Sequence, residues 1–188
     1  HAFDVSIEGV ENRILEAASV KDTEGGIESS KPPTIAVLPF KNMSNDEEQE
    51  YFADGVTEDI IANLSSWKSF PVVSGASTFR FKGKDIKSSE IAVQLGADYI
   101  VKGSIRKGGS KVRISANLVD ARDDQQVWAK RWDRSLDDIF EVQDEVSQEV
   151  AVLILPALQG KEQDRIQTKS PASFSAWDCY LKALAIFK

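Results

Sequence analysis

The sequence predicts an α/β protein: a mixed five-stranded sheet in the order β-α-β-α-β-β-β-α, covered by helices and followed by the start of an all-α repeat region. Three observations predict it. Residues 34–40 (TIAVLPF) form a short apolar run bounded by proline on both sides, which reads as a central strand. Phe52, Val56, Ile60, Ile61 and Leu64 recur at spacings of three and four and make one apolar helix stripe. Val112, Ile114, Ala116 and Leu118 alternate with polar partners, the period-two pattern of a strand. Strand–helix alternation followed by a meander implies a mixed sheet with helices laid over it.

Each element has a local reason. Residues 1–20 alternate at Phe3, Val5 and Ile7, then place Val10, Ile14 and Leu15 at helical spacing. Residues 21–33 (KDTEGGIESSKPP) read as a linker, rich in glycine, serine, charge and proline. Ser44 to Glu47 fits a capping box, with acids at 46–48 suiting the positive end of a helix dipole. Gly55 within the apolar stripe costs about 1 kcal/mol relative to alanine, which points to close packing or a local break. Residues 70–74 read as a second strand, and 76–83 hold Phe79 and Phe81 before a glycine turn. A helix over 85–95 turns Ile86, Ile91 and Leu95 inward and stops at Gly96. A strand over 97–106, a Gly108-Gly109 hairpin and strands over 111–120 and 127–134 complete the meander, with Trp128 and Trp132 of one parity. Residues 135–138 cap a last long helix, 139–158, with Phe140, Val142, Val146, Val150 and Leu153 apolar; Pro156 should kink or end it. Residues 160–171 read as a polar connector, and 172–188 as a new amphipathic helix with no partner left in the chain.

Composition narrows the function classes. The chain has 188 residues, 41% hydrophobic and 28% charged, an ordinary soluble-domain balance. Its net charge of −7 argues against a phosphate-backbone footprint over the whole surface, though not against a local basic patch. The single Cys179 allows no intrachain disulfide, in keeping with a reducing compartment. No apolar run reaches the ~18 residues of a membrane-spanning helix, and no signal peptide opens the chain. The lack of an initial methionine and the apolar helical ending predict a piece of a longer protein.

Few side chains invite chemistry. The 103–109 segment GSIRKGG lacks the GK[ST] of a phosphate loop and reads as a hairpin turn. His1 and Cys179 have no metal-ligand spacing, so no metal or cofactor is expected. Asp54 and Glu58, four apart and so on one helix face beside Asp59, suggest a carboxylate pair. No nucleophile or oxyanion device accompanies them, and a solvated or partner-facing surface is the better reading. Ser74, Ser77 and Thr78 with Arg80, Lys82 and Lys84 follow the second strand, where open α/β sheets bind ligands. An anionic small molecule is the candidate ligand there; the plain alternative is an exposed loop with Phe79 and Phe81 packed inward. Trp67, Trp128 and Trp132 read as core or interface anchors. Unpaired edge strands would allow strand addition or dimerisation.

The segments IAVLPF, EYFADGVTEDIIANLS, LGADYIVKGSIRKGGSKVRISANLVDARDDQQVWAKRWD and DIFEVQDEVSQEV, in that order over residues 33–160, resemble the TolB amino-terminal-like module of bacterial multidomain signalling proteins. The resemblance implies a module between an N-terminal output domain, a nucleotide cyclase or a winged-helix DNA-binding domain, and C-terminal tetratricopeptide repeats. SAWDCYLKALAIF resembles the first helix of such a repeat, with Trp177 and Tyr180 as anchors, and HAFDVS the end of a preceding cyclase. The expected division is an N-terminal segment and linker (1–33), the α/β domain (34–160), a connector (161–171) and a repeat helix (172–188). The expected function is a non-catalytic sensory or protein-interaction module, cyclase-linked foremost, with a winged-helix regulator as the alternative. A protein partner or self-association is expected, with no nucleic acid binding by this chain. The expected compartment is the cytoplasm, or the periplasmic portion of a membrane-anchored parent.

Overall fold

The computed structural model describes residues 31–44, 46–167 and 174–186; the sequence readings for 1–30 and 168–173 lie outside them. Strand β1 (Ile35–Val37) is buried on both faces and pairs in parallel with β3 (Tyr99–Gly108). Pro39 has no N–H to give the ladder, so the run expected over 34–40 divides there. The Phe40 amide is taken instead by the Thr57 hydroxyl (3.0 Å), and the chain rejoins β3 as β2 (Lys41–Asn42). Strands β4 (Lys111–Asp120) and β5 (Gln125–Ser135) continue antiparallel from β3. The sheet is therefore five-stranded and mixed, in the order β1-β3-β4-β5 with β2 also on β3. The segment 70–74 supplies only one parallel bridge, Ile35 to Val72. Ile35 donates to the Pro71 carbonyl and accepts from Val73, but Pro71 cannot donate onward and the strand goes no further.

One face of the sheet carries the core. Helix α1 (Glu48–Ser66) buries Phe52, Val56, Ile60 and Leu64 there, beside α4 (Ile139–Gln167) with Val142, Val146, Val150, Ile154 and Leu158. They meet Val101, Ile105, Val112, Ile114, Leu118 and Trp132 from the strands. A bulge opposite Leu118 and Val119 inserts Val127 into β5, so that both Val127 and Trp128 reach this cluster. The second face is covered over a smaller area: α3 (Ser88–Leu95) lays Ala92 over Ala36 and Ile100. Gly96 ends α3 in the left-handed conformation its sequence predicts.

Three local expectations are corrected. Ser44 makes no capping box: helix α1 has no side-chain cap, and the Ser44 hydroxyl accepts from the Lys107 amide at 2.8 Å. Phe140 lies 73% exposed in the first turn of α4, because the Asp138 cap on the amides of Phe140 and Glu141 turns Val142 inward instead. Helix α4 runs through Pro156 to Gln167, well past the expected stop near residue 158 and into the segment read as a connector. Beyond it, α5 (Ala176–Ile186) does have a partner. Trp177 meets Phe70 edge-on at 5.7 Å, and Leu181 is fully buried. A capping box forms here, Ser175 Oγ accepting from the Asp178 amide and Asp178 accepting from the Ser175 amide. A short helix, α2 (Gly75–Phe79), fills the segment before the 80–87 loop.

Candidate functional site

The residues singled out by sequence separate into three places. Lys82 leaves the 80–87 loop to meet Asp54 at 2.6 and 2.7 Å and Glu50 at 2.8 Å, both on α1. Burial works against the ammonium, but the two carboxylates outweigh it and hold the Lys82 pKa above its ordinary value. Ser74 and Ser77 bond each other at 3.1 Å at the start of α2, and Arg80 lies over the Phe81 ring at 4.8 Å. Glu58 is exposed on α1, while its neighbour Asp59 accepts from Gln143 of α4. The structure thus brings Asp54 and Lys82 together and leaves Ser74, Ser77, Arg80 and Glu58 apart from that pair.

Sequence reasoning passed over the densest polar group. Arg122, in the β4–β5 turn, grips Asp120 through Nε (2.8 Å) and Nη2 (2.9 Å), and its Nη2 also reaches Glu162 of α4 at 2.9 Å. Tyr99, fully buried on β3, donates to Glu162 at 2.5 Å and accepts from Arg122 at 2.6 Å. Asp98 stands 3.9 Å from the guanidinium and accepts from the Thr34 amide. Burial and the Glu162 carboxylate push the Tyr99 phenol far above its ordinary range. Burial opposes the charge on Arg122, but Asp120 and Glu162 overcome it and keep the guanidinium protonated. A tyrosine in a buried strand needs a hydroxyl partner, which was the available signal. Nothing local to Glu162 pointed back across the fold.

These groups bind and orient; among the described residues no set of three or more His, Cys, Asp or Glu side chains is placed to hold a metal ion. The open part of the sheet's second face, with the 82–88 loop beside it, forms a groove of ≈ 1260 Å³. Lys82, Lys102, Ser104, Ser115 and Arg131 are among its lining residues. Among the described residues no helix is long and apolar enough to cross a membrane.

The family model for the second domain of HilA/YgeH-like transcriptional regulators matches residues 30–149. The chain belongs to this family. It is therefore a module of the regulatory class. A curated relative, "Putative adenylate cyclase 3" of Rhizobium meliloti (strain 1021), is 40% identical over 151 residues. That match takes in 80% of the chain and 26% of the relative, so the chain spans about a quarter of the relative's length. TolB from Acinetobacter baumannii is a similar solved structure at 18% identity and a TM-score of 0.48, over 69% of this chain and 29% of that one. The LpoB C-terminal domain from Salmonella enterica is similar at 17% identity and a TM-score of 0.46, over 69% and 96%.

Proposed function

We propose that the chain is a non-catalytic coupling module of a cytoplasmic signalling protein. It joins an N-terminal output domain, an adenylate or guanylate cyclase, to C-terminal helical repeats that begin with α5. The observation that carries this reading is the reach of α4. Its capped first turn follows the sheet directly, its twenty-fourth residue (Glu162) is tied to Tyr99 and Arg122, and α5 then packs back beside Phe70. A displacement of the helical region would be felt at the sheet through that tether, which is the physical requirement for coupling. The segment holding Ser74, Ser77, Arg80 and Lys82, with Asp54 and Glu58 on α1, is proposed as partner surface.

The test uses the longer protein that contains this chain. Arg122→Ala and Glu162→Gln should change the dependence of cyclic-nucleotide formation on the helical region while leaving a folded protein. The chain alone, given Mg-ATP or Mg-GTP, should form no cyclic nucleotide above buffer background. Turnover by the chain alone would overturn the non-catalytic reading. The family match favours one second reading, a regulatory segment of a winged-helix transcriptional regulator. A DNA-binding domain upstream in the same protein, with no cyclase, would decide for it.

A further inference from the structure

The open second face of the sheet is built as a cationic floor. Register sets Lys102, Asn117 and Ala129 in one row and Ser104, Ser115 and Arg131 in the next. Parity sends Lys130 to the helical face, where it pairs with Glu149 at 2.6 Å. The loop before α3 adds Lys84 and Lys87 to one wall of the groove, and Lys41 of β2 lines it as well. Among the described residues none of Lys41, Lys84, Lys87, Lys102 and Arg131 makes a salt bridge. Among the described residues Lys102 donates to Ser88 (3.1 Å), and Lys84 stands 5.8 Å from the Phe81 ring. The carboxylates lining the groove are Glu50, already held by Lys82, and the exposed Asp85 and Asp124.

A protein of net charge −7 thus gathers five cations without salt bridges in one groove, against the carboxylates of Asp85 and Asp124 there and of Asp133 beside Arg131. Like charges held together repel, and an anionic occupant relieves the repulsion while gaining attraction from several groups at once. Shape decides its kind. At ≈ 1260 Å³ the groove exceeds the roughly 300–1,000 Å³ of small-molecule pockets, and its cations are spread over floor and wall instead of converging on one point. Leu38, Pro39 and Ile86, each half-buried, give its sides apolar contact area.

We infer that this face binds an acidic, extended polypeptide segment of a partner protein, its carboxylates on Lys87, Lys102 and Arg131 and its apolar side chains on Leu38, Pro39 and Ile86. The inference rests on the regulatory-module reading and names the partner's chemistry. Its test is a binding titration without cyclic-nucleotide readout, so that either claim can fail while the other stands.

The probe is a fluorescein-labelled Glu/Asp-rich peptide with interspersed leucines, titrated against the full chain by fluorescence anisotropy. A lysine-rich counterpart of equal length is the control. The acidic peptide should bind and the basic one should not. Raising ionic strength to about 0.5 M should weaken binding about tenfold, since the contacts are surface charges. The triple reversal Lys87→Glu/Lys102→Glu/Arg131→Glu should weaken it about tenfold or more, while Lys68→Glu, outside the groove, should leave it unchanged. If the triple variant does not melt cooperatively, Arg131→Ala at its exposed position carries the test, with about threefold weakening expected. No binding of the acidic peptide, or equal binding by the reversed chain, overturns the inference. So does preference for ATP, inorganic phosphate or duplex DNA over the peptide. Reversal-sensitive self-association in sedimentation, without peptide binding, would give the groove to a second copy and overturn it too.

Discussion

Gly103 occupies the point where the Phe40 ring crosses β3, and a Cβ added there would collide with that ring and with the Ser115 carbonyl oxygen. Neither neighbour can withdraw, one being core and the other backbone. Gly103→Ala should therefore cost about 3 kcal/mol in urea unfolding, at the upper end of overpacking penalties. Gly55→Ala is the contrasting case. Its Cβ would meet only the end of the Gln143 side chain, at 2.6 Å, and that side chain can swing away at the expense of its bond to Asp59. The helix gains about 1 kcal/mol in propensity, so the net change should be close to zero. The sequence marked Gly55 as a place of close packing or a local break, and it is close-packed. The segment 103–109 reads in sequence only as a hairpin turn, because the Phe40 ring that presses on Gly103 comes from the distant turn between β1 and β2. At the ion cluster, Arg122→Met should cost about 3 kcal/mol, since it leaves the buried carboxylates of Asp120 and Glu162 without the cation they share. Tyr99→Phe should cost about 1 kcal/mol. The double variant should show coupling, because both residues satisfy Glu162.

Between elements, α4 and its contacts with β5 carry two further expectations. Pro156 lies exposed inside α4, where it cannot donate to the residue one turn earlier. The helix continues because Ile154, Leu155 and Leu158 are buried around it. Pro156→Ala should raise the denaturation midpoint by the equivalent of about 1–3 kcal/mol, and any loss would mean the proline shapes the helix path. On the same helix, Glu149 accepts from Lys130 (2.6 Å) and from the Trp132 indole (2.8 Å). These bonds, Lys130 first, lower its pKa from the ordinary value. A carboxyl with a depressed folded-state pKa stabilises above its unfolded pKa of about 4.3, and that contribution is lost as pH falls through the lowered value. Glu145, held low by Arg134, acts in the same direction. Thermal melts should therefore fall as pH drops below about 4.5, and Glu149→Gln should flatten that acid limb by lowering the melt at pH 7 while leaving it nearly unchanged in acid, where Glu149 is already protonated. Equal acid limbs would show the pair to be a surface ornament of no energetic consequence. Trp132 was legible as an anchor from its parity, whereas its indole partner, seventeen residues on, was not.

For the whole molecule, the C-terminal limit of the cooperative unit is the open quantity. Residues 161–167 hold Glu162 and Ile166, both buried, and α5 buries Leu181 against the same unit. A chain ending after Gln167 should fold but lose about 2 kcal/mol, roughly the worth of burying one large apolar side chain. One ending after Gly160 should lose several kcal/mol more, because Tyr99 and Arg122 then face no carboxylate from α4. Circular dichroism melts of the three chain lengths check the order. Equal melts for the 160- and 188-residue chains would return the boundary to residue 160.

By itself the sequence determined the three strands of the meander, the apolar stripe of α1, the hairpin at Gly109 and the stop at Gly96, since each depends on neighbours within a turn or a strand. It did not determine whether Ser44 would cap a helix, how far α4 would run, or what 70–74 would pair with. Those outcomes turn on which distant group reaches a backbone amide first, or on a proline that withholds one. The Arg122–Tyr99–Glu162 cluster was decided by tertiary structure alone, as was the joining of Lys84, which the sequence singles out, to Lys87, Lys102 and Arg131 in one groove. Each assembles groups from distant segments, Tyr99 and Glu162 being 63 residues apart, and attraction or repulsion between them exists only after the sheet has brought them together.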